Sequence, residues 1–255
     1  MGGEYDGQAS DSGRQHVTHR PSTSTAWERA AFAAIVLLLS FAAPVAAGPL
    51  EDTTTASGRR DYAIALRLWR PLADQGDAIA QFNLGLTYDK GWGVPQNDAE
   101  AVKWYSLAAD QGDADAQINL GGMYHNGRGV PQNDAEAVKW FRLAADQGDA
   151  RAQFNLGFSY DNGRGVPQNH AEALKWFRLA ADQRNANAQN DLAVMYTKGE
   201  GVPQDFVRAH MWFNLSAARG EQRAAKNRDS IAKRMTAAQI VEAQKLAREW
   251  QPKRP

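Results

Sequence analysis

The chain has 255 residues, 43% of them hydrophobic, with 29 Lys/Arg balanced by 29 Asp/Glu and no cysteine. Charge neutrality removes the concentrated basic footprint that nucleic-acid binding requires. The missing thiols exclude disulfide staples, Cys-based metal sites and thiol catalysis, so any exported form must be stable through packing alone.

Residues 1–29 are rich in Ser, Thr, Gly and charge without periodicity, and read as a disordered extension. Ala30 to Ala43 is an uncharged apolar run, preceded by Arg29 and followed by Pro44 and small residues to Ala47. A spanning helix needs about 20 apolar residues. This shorter run fits the h-region of a secretory signal, with 30–47 as h-region and cleavage region. Export to the periplasm or outside the cell is the expectation, and membrane contact would come only through an uncleaved signal. Residues 48–57 read as a disordered linker.

From residue 58 a helical pattern begins, and 58–76 reads as an N-terminal capping helix in which Pro71 should kink or end the helix. Residues 77–112 then recur as 113–148, 149–184 and 185–220. The first and second copies share 27 of 36 positions, the second and third 28, and the third and fourth 15. Such self-similarity specifies a tandem-repeat solenoid, with the last copy drifting because one side meets a cap.

Each copy contains two helices. Helix A follows an N-cap at Asp77, Asp113, Asp149 or Asn185 and stops at Gly91, Gly127, Gly163 or Gly199. Gln81, Leu84, Gly85 and Tyr88 form one stripe of the first copy at helical spacing. The loop Gly-x-Gly-Val-Pro-Gln reverses the chain. Helix B opens at Asn97, Asn133 or Asn169, with Glu three residues on as a capping box, which Arg208 replaces in the fourth copy. Its tryptophans, Trp104, Trp140, Trp176 and Trp212, fall on the apolar stripe and read as core. Trp92 lies in the loop and should be exposed. Arg184 stands where glycine ends helix B in the other copies, at a cost on the order of 1 kcal/mol if the residue is left-handed. Residues 221–250 read as C-terminal capping helices, with a capping box at Thr236 and Gln239 and with Ile231, Met235, Ile240, Leu246 and Trp250 docking them.

The pattern A-x-A-Q-x-N-L-G-x-x-Y-x-x-G-x-G-V-P-Q, followed by A-x-x-W and A-A, resembles the Sel-1-like repeats, relatives of tetratricopeptide repeats, over Asp77 to Gly220. The resemblance implies an all-α fold, a right-handed α-solenoid of antiparallel helix pairs, with helix A lining the concave face. It also implies a non-enzymatic adaptor of the bacterial exported type, active in envelope assembly or signalling. A subset of the family linked to cell-wall or β-lactam compounds is disulfide-stapled, and this chain has no cysteine.

Several motifs compete with that reading. Ser230 and Lys233 fit S-x-x-K, the nucleophile motif of penicillin-binding enzymes, without the accompanying S-D-N or K-T-G. An envelope protein that binds cell-wall compounds, or binds or hydrolyses β-lactams, is the alternative. The Gly-x-Gly loops lack the downstream residues of phosphate cradles. His125, His170 and His210 fall in three different copies with no local ligand spacing, so neither a metal nor a cofactor is expected.

A protein or peptide partner is expected on helix A. Asn83, Asn119, Asn155 and Asp191 recur once per copy, and such an amide ladder either binds an extended backbone or bonds within the stack. Positions that vary between copies are the candidates for specificity: Ile79/Asp115/Arg151/Asn187, Leu86/Gly122/Phe158/Val194 and Asp89/His125/Asp161/Thr197.

Overall fold

A computed structural model describes residues 66, 67 and 69–252, which belong to one compact unit, Asp52–Pro255. The expected extension, signal segment and linker, and the start of the capping helix, lie outside the described residues. Residues 69–74 are helical, and the helix runs through Pro71, whose carbonyl accepts from the Gln75 amide at 3.2 Å. Proline removes only the bond its own nitrogen would donate, and the helix continues to residue 74 before it ends.

Ten helices follow: α1 (Ala78–Lys90), α2 (Asp98–Asp110), α3 (Ala114–Asn126), α4 (Asp134–Asp146), α5 (Ala150–Asn162), α6 (His170–Asp182), α7 (Ala186–Lys198), α8 (Phe206–Ala217), α9 (Gln222–Ala232) and α10 (Ala237–Glu249). There is no strand among the described residues. Each odd-numbered helix from α1 to α7 packs on the even-numbered one after it, and from α3 onward also on the one before, so the described residues form an α-solenoid of helix pairs.

Helix A is set by its ends. The Asp77, Asp113 and Asn185 side chains each accept a hydrogen bond from the amide three residues on, at 2.7–3.0 Å, and Asp149 does so at 3.2 Å. The closing glycines hold φ of 65–78°. Helix B differs from expectation. Asn97, Asn133 and Asn169 do cap their helices by accepting from the Glu amide. The reciprocal half of a capping box is absent, because the N-cap amide of each donates at 2.9 Å to the carbonyl of Tyr88, Tyr124 or Tyr160. The glutamates turn instead to lysines three residues on. In the fourth copy Asp205 caps in the same way, with its amide on Tyr196, which is why Arg208 does no harm there.

Packing follows the repeat. Leu84, Leu120, Leu156 and Leu192 are fully buried, and the rings of Tyr105, Phe141 and Phe177 lie against Gly85, Gly121 and Gly157. A Cβ on Gly121 would stand 2.6 Å from Phe141, so that glycine is required by the close approach. Trp104, Trp176 and Trp212 are buried and Trp140 nearly so, in line with a core role. Trp92 is exposed, as expected for the loop.

Buried glutamines stitch successive pairs. Gln117 Nε2 donates to the Ala109 carbonyl at 3.1 Å, while its Oε1 accepts from Gln147 at 2.9 Å, and Gln81 and Gln153 repeat this. Arg184 holds φ 71°, the one positive value at a non-glycine among the described residues. In the C-terminal cap the Thr236–Gln239 capping box forms with both bonds present. Ile231 is buried there, with Met235, Leu246 and Trp250 packed against the same cluster, whereas α10 buries Ala243 and Ala247 and leaves Ile240 only partly covered.

Candidate functional site

Helix A offers two kinds of surface. The first is the row Asn83, Asn119, Asn155 and Asp191, all half-buried. Asn83 Nδ2 donates to the Ile79 carbonyl of its own helix at 2.9 Å, and Asp191 accepts from Asn190 at 2.8 Å. Burial raises the Asp191 carboxyl above the usual range, against the nearby Arg223. Asn119 faces the Tyr105 hydroxyl of the preceding pair, which burial holds above the ordinary phenol range, with Asp89 adding and Asn119 opposing. The Asn155 side chain has no partner among the described residues, whereas Asn83 and Asp191 at the two ends of the row are bonded within the stack.

The adjoining row is Leu86, Gly122, Phe158 and Val194. Leu86 and Phe158 are partly buried against the core, and Arg164 lies over the Phe158 ring at 5.3 Å. A Cβ placed on Gly122 would meet nothing within 4 Å. The row therefore has a gap at Gly122, where its neighbouring copies carry the large apolar Leu86 and Phe158. The outermost row, Ile79, Asp115, Arg151 and Asn187, is exposed, and Arg151 bridges Asp115 of the preceding copy at 2.5 Å.

The second surface is the junction between copies, and it takes Asp89, His125 and Asp161. The loop of each copy lies on the first turn of helix B in the copy before: a Cβ on Gly129, Gly165 or Gly201 would be 2.1–2.5 Å from the carbonyl oxygen of Asp98, Asp134 or His170. The residue before each of these glycines therefore reaches into the preceding copy. Arg128 contacts Asp89 at 2.5 Å and Asp98 at 2.6 Å. Burial would raise Asp89, but Lys90 and Arg128 outweigh it and hold the carboxyl below the usual range. At the second junction His125 Nδ1 lies 2.6 Å from Asp134, and Arg164 stands 3.5 Å from His125 Nε2. At the third, His170 Nδ1 lies 2.9 Å from Asp161, and the loop residue is Glu200. At the last, Phe206 replaces the helix B residue and the cap supplies Arg234 over its ring at 4.5 Å.

Sequence reasoning named one member of each junction and missed its partners. The signal was present in the differences between copies: Asp89, Asp98 and Arg128 become His125, Asp134 and Arg164 in the next copy and Asp161, His170 and Glu200 in the one after. Ser230 and Lys233 lie exposed on α9 and at its C-terminal end, and no hydrogen bond joins them. Among the described residues no helix is long and apolar enough to cross a membrane.

The family model described as Sel1 repeat matches residues 56–77, 78–113, 114–149, 150–185 and 186–221, counting the capping segment as a partial repeat. Two solved structures are similar at useful identity. The first is c5321 of uropathogenic Escherichia coli, described as a protective antigen displaying an SLR fold, at 38% identity and a TM-score of 0.68. The match covers 72% of this chain and 40% of that one, so this chain spans two fifths of its length. The second is a Sel1 repeat protein from Oxalobacter formigenes, at 34% identity and a TM-score of 0.64, covering 74% of this chain and 82% of that one. No curated protein matches.

Proposed function

We propose a function from one premise: the chain belongs to the Sel1 repeat family, a class of helical scaffolds that generally mediates protein–protein interaction. On that premise the protein is an exported, non-enzymatic adaptor that docks an extended segment of a partner protein along the helix A face, in envelope assembly or signalling. The observation that carries this reading is the gap at Gly122 between Leu86 and Phe158, beside the amides of Asn119 and Asn155. An apolar side chain of a bound segment fills the gap, and the amides donate to and accept from its backbone.

Export rests on the apolar run from Ala30 to Ala43 and the small residues after it. The β-lactam alternative has weaker support, since Ser230 and Lys233 are exposed and carry no hydrogen bond to each other.

Gly122→Phe tests the groove without harming the stack. The new Cβ meets nothing within 4 Å, and replacing a helical glycine raises helix propensity by a few tenths of a kcal/mol to about 1 kcal/mol. Partner recovery from an envelope extract should fall at least about tenfold for Gly122→Phe and for Asn119→Ala with Asn155→Ala, while thermal stability stays level or rises. Recovery unchanged in both variants contradicts the groove.

A further inference from the structure

We propose that Asp161, His170 and Glu200 form a binding site for a divalent transition metal of the zinc class. One ligand atom from each lies within 4.8 Å of the others. An imidazole nitrogen with two carboxylate oxygens suits zinc, cobalt or nickel, whereas magnesium and calcium favour all-oxygen sets. The three groups come from the last turn of α5, the first residue of α6 and the loop after α7, so they meet only because two copies stack.

The repeat itself supplies the internal comparison. At the first junction the same three positions are Asp89, Asp98 and Arg128, and the guanidinium occupies the space between the carboxylates. At the second they are His125, Asp134 and Arg164, again with a guanidinium facing the pair. The third junction keeps the acid and the histidine but replaces the arginine by Glu200. A position that holds a cation in the two earlier junctions thus gains an anion, so that two carboxylates and an imidazole face one another where a guanidinium stands elsewhere. Lys198 reaches Glu200 at 3.3 Å from the exposed side and neutralises one carboxylate, leaving Asp161 with only the imidazole.

The supports are fixed. The close seat of Gly201 on the His170 carbonyl anchors Glu200 next to the imidazole. The three side chains are each about a third exposed, which leaves further coordination positions open to water. Metal–ligand bonds of about 2.0–2.2 Å require the donors to draw together by side-chain rotation, and His170 to bind as the neutral imidazole.

Calorimetric titration of the purified, untagged full chain with zinc chloride tests this. One equivalent should bind to the wild type. At a free zinc concentration about 100 times Kd, the melting temperature should rise by roughly 5–10 °C. Glu200→Arg, which rebuilds the arginine junction of the earlier copies, and His170→Gln should each weaken that binding by at least about tenfold, with the helical circular dichroism retained. Magnesium should produce no shift. An affinity equal to wild type in either folded variant, or no wild-type binding up to about 1 mM zinc, overturns the site.

Discussion

Arg184 shows how a single residue departs from the repeat at a measurable cost. Its φ of 71° is the conformation that Gly112 and Gly148 occupy at the equivalent ends of α2 and α4, with φ of 92° and 93°. The arginine also stands close enough to Arg219 to lower that guanidinium, after burial, below its ordinary range. Replacing it relieves both a backbone penalty on the order of 1 kcal/mol and a like-charge contact. Arg184→Gly should raise the melting temperature by about 2–4 °C in a thermal scan. A decrease would mean that the arginine makes a compensating contact. The strain at this residue was legible in the sequence, because three sibling copies showed glycine at its position.

At the scale of the element, helix ends were read well wherever a side chain did the work and less well where the backbone did. Asp77, Asn97 and Thr236 announce themselves as caps, and each accepts the expected bond. The amide of Asn97 bonding the Tyr88 carbonyl left no trace in residue identity, since any amino acid but proline offers that amide. The glutamate three residues on therefore looked like half of a capping box. The junction clusters were hidden for another reason: their members stand 9 and 39 residues apart and meet only through stacking.

Helix α8 carries a further consequence. His210 occupies the position of Val102, Val138 and Leu174, is buried, and has a ring nitrogen, Nδ1, without a hydrogen bond. Burial, then Arg228, lowers its proton affinity below the ordinary histidine value near 6.5, with Asp229 opposing. A histidine depressed in the folded state contributes stability that is complete above the unfolded value and is lost as pH falls through the folded one. Wild type should therefore lose melting temperature below about pH 6.5 more steeply than His210→Leu, the residue of the third copy. Parallel pH profiles for the two proteins would remove His210 from the acid response.

Across the described residues the molecule is a stack in which each pair touches its neighbours, so stability accumulates repeat by repeat and surface rows extend along the stack. The family fold was legible because Leu84, the paired helix caps and the Gly-Val-Pro loop return at a fixed period. The candidate docking site was only partly legible. The variable positions on helix A were visible, but the sequence could not separate Leu86, Gly122 and Phe158, which border open space, from Asp89, His125 and Asp161, which enter the junctions. That division follows from the loop seated on helix B of the preceding copy, and it confines the proposed docking row to the helix A face.

Site-specific photocrosslinking tests that row most directly. A photoreactive side chain at position 115, exposed on the same helix as Asn119 and Gly122, leaves the gap open, and the same group at position 143 replaces Leu143, which is 48% exposed on helix B and serves as the control. Irradiated in cells, position 115 should yield one discrete protein adduct that is absent at position 143. Equal adducts from both positions, or none from position 115, would contradict docking on the helix A face.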